Sequence, residues 1–325
     1  MAGLKRCTLV FALLLSACAH AQGLRTADQY VWLQQIEQQA IDDGVNPQTV
    51  HEALDNFVPD ERVIALDEKQ PEGTISFAQY RRNVVTSARA QKGGEMLRQY
   101  AEILRDIQTR TGVPPQIVLA LWGIESSFGR NMGDYETVTS LATLTYQGRR
   151  ADFFRGELFA ALHILDREHM SSADLRGSWA GAMGQCQFMP STYLKYAVDG
   201  DGNGGSDIWN SPPDVAASIA NYISAEGWRG DLPWGQEVAL GTPVDASQIG
   251  LGVTHSVAEW SAAGVTGIDG SPLPVLDAQA SLLQPDGADG STYLVYDNVR
   301  ALMKWNHSTY FALGVGLLAD AIQQN

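Results

Sequence analysis

Residues 113 to 129, VPPQIVLALWGIESSFG, form an apolar run of helical length that carries a single carboxylate, Glu125. Pro114 or Pro115 suits the first turn of a helix, where a missing amide hydrogen costs nothing, and Gly129 suits the position just past its end. A helix this apolar belongs in a core. Similar punctuation recurs along the chain. From Asp28 to about Leu104 the apolar positions keep helical spacing, as in YVWLQQIEQQAIDDGV, with a turn at Gly44 to Pro47 before QTVHEALDNF. AEILRDIQTRTG is a helix closed by Gly112, RADFFRGELFAALHILDREH is a long amphipathic helix, and PSTYLKYAV and PDVAASIANYISAEGW begin at or near prolines, the second ending at Gly227.

Between Asp231 and about Thr292 glycine, proline, threonine, valine and aspartate dominate, which predicts short strands and turns; VRALMKWNHSTYFALGVGLLADAI then returns to helix. The fold class expected is mainly α (α+β). Its divisions are an α-rich domain at 22–112, a core at 113–230, a small β-rich segment at 231–292 and a helical return at 293–325. A chain of 325 residues is long enough for such an arrangement.

Residues 1–21 pair a short basic start (Lys5, Arg6) with an apolar stretch of about ten residues and then small residues, as a secretory signal peptide does. Two cleavage readings are open: AHA before Gln22 fits ordinary signal peptidase, while LSAC (residues 15–18) resembles the lipobox that would place a lipid on Cys18. Without residues 1–21 the chain has 20 basic and 37 acidic residues, a net charge of −17. Such a surface repels nucleic acid and anionic lipid, so nucleic acid is excluded as a partner and membrane contact is expected only through lipid on Cys18. Cys186 is the one cysteine beyond the leader, so no internal disulfide is available.

Glu125 follows Leu121 by four residues and Trp122 by three, which sets it beside apolar side chains on one helical face. Burial there, together with the negative end of the helix dipole, raises a carboxyl pKa from ~4.3 towards ~6, the range of a general acid. Spacing alone still favours a surface glutamate on the polar edge of a core helix. GSWAGAMGQCQFMPSTY, residues 177–193, joins small residues that let backbone approach a ligand to two amides, Gln185 and Gln187, just before a helix start at Pro190. Amides donate and accept, which suits sugar hydroxyls and N-acetyl groups; the plainer reading is a tight glycine turn.

The blocks LWGIESSFGRNMG, LATLTYQGRRADFFRGEL, GSWAGAMGQCQFMPSTYLKYAVD, IANYISAEGW and KWNHSTYFALGV, in this order and spacing, resemble the lytic murein transglycosylase B family over about residues 28–322. The resemblance implies a lysozyme-like core between an α-rich N-terminal domain and a small β-rich C-terminal insertion. It implies an exported enzyme that cleaves the β-1,4 bond between N-acetylmuramic acid and N-acetylglucosamine in peptidoglycan and leaves a 1,6-anhydromuramoyl end. Glu125 matches the family's single acid/base; Ser178, Gln187, Tyr222 and Asn306 match residues that line its groove, and Gln185 is added to them from the amide argument. Tyr222 is thereby expected to bond the acid or the acetamido group, and Ser178 to steady the intermediate. Trp305 stands where relatives can carry another aromatic, and Cys186 where a small residue is common. A hydrolysing muramidase on the same fold, or a non-catalytic peptidoglycan-binding scaffold, are the alternatives. Partners expected are glycan strands and other cell-wall enzymes, in the periplasm, soluble or lipid-anchored to the outer membrane.

DGDGNGGSDIWN, residues 199–210, fits the start of an EF-hand loop: Asp199, Asp201 and Asn203 at positions 1, 3 and 5, Gly204 at the sharp turn, the Gly205 carbonyl at position 7 and Asp207 at position 9. Asn210 stands where a bidentate glutamate is expected. The resemblance supplies Asp214 as the closing carboxylate. Structural calcium is the cofactor expected, with a dissociation constant of ~10⁻⁴ to 10⁻³ M; a metal-free Gly/Asp turn is the other reading, and no cofactor is expected for catalysis.

Overall fold

The computed structural model describes residues 26–69 and 75–325. The leader with its two cleavage readings, and Cys18, lie outside the described residues. The chain begins with helices α1 (Ala27–Asp42), α2 (Pro47–Leu54), α3 (Glu61–Glu68), α4 (Phe77–Val84), α5 (Ser87–Gln99) and α6 (Ala101–Thr111). Each of the first five starts at a capping side chain, Thr26, Asn46, Asp60, Ser76 and Thr86 in turn, whose oxygen accepts an otherwise unpaired amide. Gly112, left-handed at φ 72°, closes α6.

Next come α7 (Pro115–Ser126), β1 (Tyr135–Glu136), α8 (Thr137–Gln147), α9 (Ala151–Glu168), β2 (Arg176–Gly177), α10 (Pro190–Tyr196) and α11 (Pro212–Ala225). The strands β3 (Gly235–Leu240), β4 (His255–Ser256), β5 (Val265–Gly267), β6 (Gln279–Leu283) and β7 (Thr292–Val295) follow, with α12 (Val257–Ala262) between β4 and β5, and then α13 (Asn298–Trp305) and α14 (Thr309–Gln323). The apolar run does become the central helix. Ile117 to Gly123 are buried without a break, because α5, α6, α11 and α14 all pack against α7. A single apolar core runs from Leu33 in α1 to Ile322 in α14.

The β-rich stretch forms an antiparallel sheet in the order β4-β6-β7-β3-β5, with its own cluster around Trp260, Leu282 and Leu294. It grips the helices at several points. Gly316 lets α14 run beneath the Trp234 ring, where a Cβ would sit 2.2 Å from ring carbon. Arg81 pairs with Glu237 at 3.0 Å, Phe77 meets Tyr293 edge-on, and the Asp286 carboxylate accepts the first amides of α4 from Phe77 (2.6 Å) and Ala78 (2.8 Å).

Two boundaries differ from the sequence reading. The terminal helical block is split at residues 306–308: Asn306 is extended, and Ser308 caps α14 by accepting the Phe311 amide. Short polar side chains that bond nearby backbone compete with helix continuation. Also, α7 stops before Gly129. Ser127 (φ 51°) and Phe128 (φ 58°) are already left-handed, giving with Gly129 (φ 82°) three such residues in a row. Left-handed backbone at non-glycine residues costs of order 1 kcal/mol or more and persists where the surroundings over-determine it.

Candidate active site

That reversal is fastened by Ser126. Its hydroxyl accepts the Gly129 amide (2.9 Å) and donates to the Gln185 carbonyl (2.7 Å), so the end of α7 is tied to the glycine-rich block of residues 177–193. Gln185 completes the fastening: its side-chain oxygen accepts from the Trp122 indole (2.9 Å) and its amide donates to the Trp209 carbonyl (2.7 Å). A Cβ on residue 129 would meet that oxygen at 2.4 Å, which explains the glycine there. Gln185, expected to bind substrate, has both ends of its amide engaged inside the fold, where it acts as a strut.

Glu125 sits on the last turn of α7, partly exposed, and accepts a hydrogen bond from the Trp305 indole at 2.8 Å. Burial pushes its pKa up to about 7, against the smaller opposing effect of the indole, which favours the ionised form. No second carboxylate among the described residues bears on this shift; the next acid in its stretch that is not exposed, Glu136, is turned to the hydroxyls of Thr139 and Ser172. Trp305 is held in place by an aromatic cluster. Its ring centroid lies 4.9 Å from Tyr222 and 5.2 Å from Phe188, and Tyr196 stands 4.6 Å from Tyr222.

Tyr222 does not bond the acid. Its hydroxyl donates to the Lys304 carbonyl at 2.6 Å, and burial raises its pKa to about 12, so it stays protonated and pins α11 to α13. The place at the acid belongs to Trp305, one residue along. Ser178 accepts the Ala182 amide at 3.0 Å, while its own proton has no acceptor among the described residues. Gln187, left-handed at φ 53°, donates both amide protons to the Met132 and Gly184 carbonyls, which leaves its side-chain oxygen free to accept. Asn306 is exposed beside Trp305, and its side-chain amide has no partner among the described residues. Buried Cys186 has its thiol pushed well up by burial and by the nearby Glu125 charge, which leaves it an inert packing residue.

Sequence reasoning missed Tyr80. Burial first, then the Glu125 charge, raise the pKa of its hydroxyl to about 12; Arg89 opposes. Nothing local in FAQYRRNV marks this tyrosine, because the packing of α4 on α14 is what brings it to the acid.

Residues 199–214 divide into two sets. The carboxylates of Asp199, Asp201 and Asp214 offer ligand atoms all within 4.8 Å of one another, and Asp214 is wholly buried with no cation partner among the described residues. Asp214 is fixed by the amides of Gly200 (2.8 Å), Asp201 (3.3 Å) and Asp207 (2.8 Å). Three hard oxygen donors around a buried charge fit calcium. Asp207, expected as a ligand, instead accepts the amides of Trp209 and Asn210 at 2.9 Å, since the turn before α11 needs an acceptor there. Asn203 turns its oxygen to the Gly205 amide at 3.0 Å.

The sequence profile of the transglycosylase SLT domain matches residues 28–320. The chain belongs to this family. It is 36% identical over 277 residues to the membrane-bound lytic murein transglycosylase B of Escherichia coli K12, covering 83% of this chain and 72% of that one. Among solved structures it is similar to SltB3 of Pseudomonas aeruginosa, seen with NAG-NAM-pentapeptide and with NAG-anhNAM-pentapeptide, with a TM-score of 0.87, 43% identity, and coverage of 91% of this chain and 80% of that chain for the first. It is also similar to the Escherichia coli lytic transglycosylase Slt35 in complex with calcium, with a TM-score of 0.75, 33% identity and coverage of 90% and 92%. The lysozyme-like core and the lytic transglycosylase assignment expected from the motifs are borne out.

Proposed function

We propose that the protein is an exported peptidoglycan lytic transglycosylase in which Glu125 alone performs the acid and base steps. Protonated Glu125 gives its proton to the oxygen of the bond between N-acetylmuramic acid and N-acetylglucosamine. As that bond breaks, the 2-acetamido oxygen of the muramic acid closes on C1. Ionised Glu125 then takes the proton of the C6 hydroxyl, whose oxygen displaces the acetamido group from C1 and forms the 1,6-anhydro ring. No water is consumed, and the acid ends protonated as it began.

The observation that carries this reading is Glu125 itself: a carboxyl with a pKa of about 7, so both of its forms are reachable near neutral pH, and with no second carboxylate among the described residues bearing on it. Gln187, Ser178, Asn306 and Tyr80 supply polar atoms around it for the sugar. The two SltB3 complexes, one with an anhydro sugar, support the substrate and the product. The membrane-bound E. coli relative supports attachment to a membrane, and the calcium complex of Slt35 supports a bracing ion held by Asp199, Asp201 and Asp214.

Mass spectrometry of sacculi digested by the wild type and by Glu125→Gln tests the mechanism. The wild type should release anhydromuropeptides and the variant at least about 10²-fold fewer. Reducing ends in place of anhydro ends would make the protein a hydrolase; equal release by both proteins would remove Glu125 from the chemistry.

A further inference from the structure

The helix that delivers Trp305 has a second face. Arg300, Met303 and Lys304 recur at three- and four-residue spacing, so they lie along one side of α13, and His307 follows in the bend between α13 and α14. With Leu251, from the loop before β4, they line a cavity of about 490 Å³ between the helix and the β-rich segment. Leu251 and Met303 are its partly buried apolar members. Arg300 builds the wall: its guanidinium donates to the Leu251 carbonyl and lies 3.4 Å from Asp297. Lys304 and His307 differ. Both are exposed, and among the described residues neither side chain makes a hydrogen bond or an ion pair.

Carboxylates outnumber cations in this chain by 37 to 22, so two adjacent basic side chains left without an acidic partner on a cavity wall are a local reversal of the molecular charge. The position gives that reversal a use. Lys304 offers its carbonyl to Tyr222, the next residue bonds Glu125, and Asn306 is exposed beyond it, so the same stretch of chain lines the cavity and reaches Glu125. A space of this size takes a small flexible group and not a glycan strand. The ligand seen on SltB3 carries such a group, a pentapeptide on the muramic acid, and a peptide of that kind ends in a carboxylate.

We propose that this cavity is a subsite for the carboxylates of the peptide stem, with the Lys304 ammonium and the His307 imidazole as the groups that hold them and Leu251 with Met303 as the surface under the stem's carbon atoms. The inference rests on the peptidoglycan reading above and assigns the stem a place within it. Arg300 acts as a positioning residue that holds the loop of Leu251 to α13.

The test compares wild type and a Lys304→Gln/His307→Gln double variant on three substrates: stem-bearing glycan, the same glycan after an amidase has removed the stems, and glycan whose stem carboxylates have been converted to amides. Each exposed ion pair is worth about a two- to fivefold change in affinity. The wild type should favour stem-bearing over stem-free glycan about fivefold in kcat/KM, and the double variant should lose that preference through KM. Amidated stems should behave as stem-free glycan with the wild type. A preference that survives in the variant, or that persists on amidated stems, overturns the proposal, as does an equal loss on all three substrates, which marks a merely structural change. Absence of turnover by the wild type on every substrate overturns the functional reading itself and the subsite with it.

Discussion

At the scale of single residues, Glu125 is held where its proton is easily lost and easily regained. Its pKa is about 7 in the fold against an ordinary 4.5, so between those values the folded chain binds a proton that the unfolded chain has released. Stability from this group is therefore present below about pH 4.5, falls as pH rises through the window, and is gone above about 7. Glu125→Gln removes the penalty of burying a charge. We expect the variant to be more stable than wild type at pH 8 by on the order of 1 to 3 kcal/mol, a few degrees in thermal melts, with the difference vanishing near pH 4. Equal melting at both pH values would mean that the carboxyl is not buried. Trp305→Phe tests the indole separately. Loss of a donor that favours the ionised form raises the acid's pKa further, so the alkaline limb of the kcat/KM profile should move up by about one pH unit. An unmoved limb would show that the indole does not touch the carboxyl in the working enzyme.

At the scale of elements, prolines, glycines and capping side chains made most of the helices readable before any coordinates. Pro115, Pro190 and Pro212 begin helices, and Gly112 ends one where expected. What could not be read was which polar groups the fold would consume. Gln185 and Gln187 look alike in sequence, yet two tryptophans take one of them and leave an oxygen of the other free. Tyr80 was invisible for the complementary reason, since its role comes from an α4–α14 contact across more than two hundred residues. The Asp199 to Asp214 loop was legible as an oxygen-rich turn, although Asp207 caps it and does not face the other acids. Calcium should raise the melting temperature with a midpoint of ~10⁻⁴ to 10⁻³ M, and Asp214→Asn should abolish the response. A calcium-independent melt would reduce the loop to a surface turn.

At the scale of the whole molecule, one core threads α1 to α14 while the sheet keeps a smaller cluster of its own. Burial of α7 among four other helices predicts an order of hydrogen exchange. Amides of Ile117 to Gly123 should exchange only through global unfolding, and that of Thr242, exposed in the turn after β3, should be among the fastest. Fast exchange in α7 would contradict its central place. The grip of Asp286 on the first amides of α4 links these scales, because the carboxylate belongs to a turn of the accessory sheet and α4 carries Tyr80, whose hydroxyl feels the Glu125 charge. A loop edit 206 residues downstream of that tyrosine is thus expected to shift the surroundings of Glu125 without touching it. Natural variation in the sheet becomes a tuning dial for chemistry performed elsewhere.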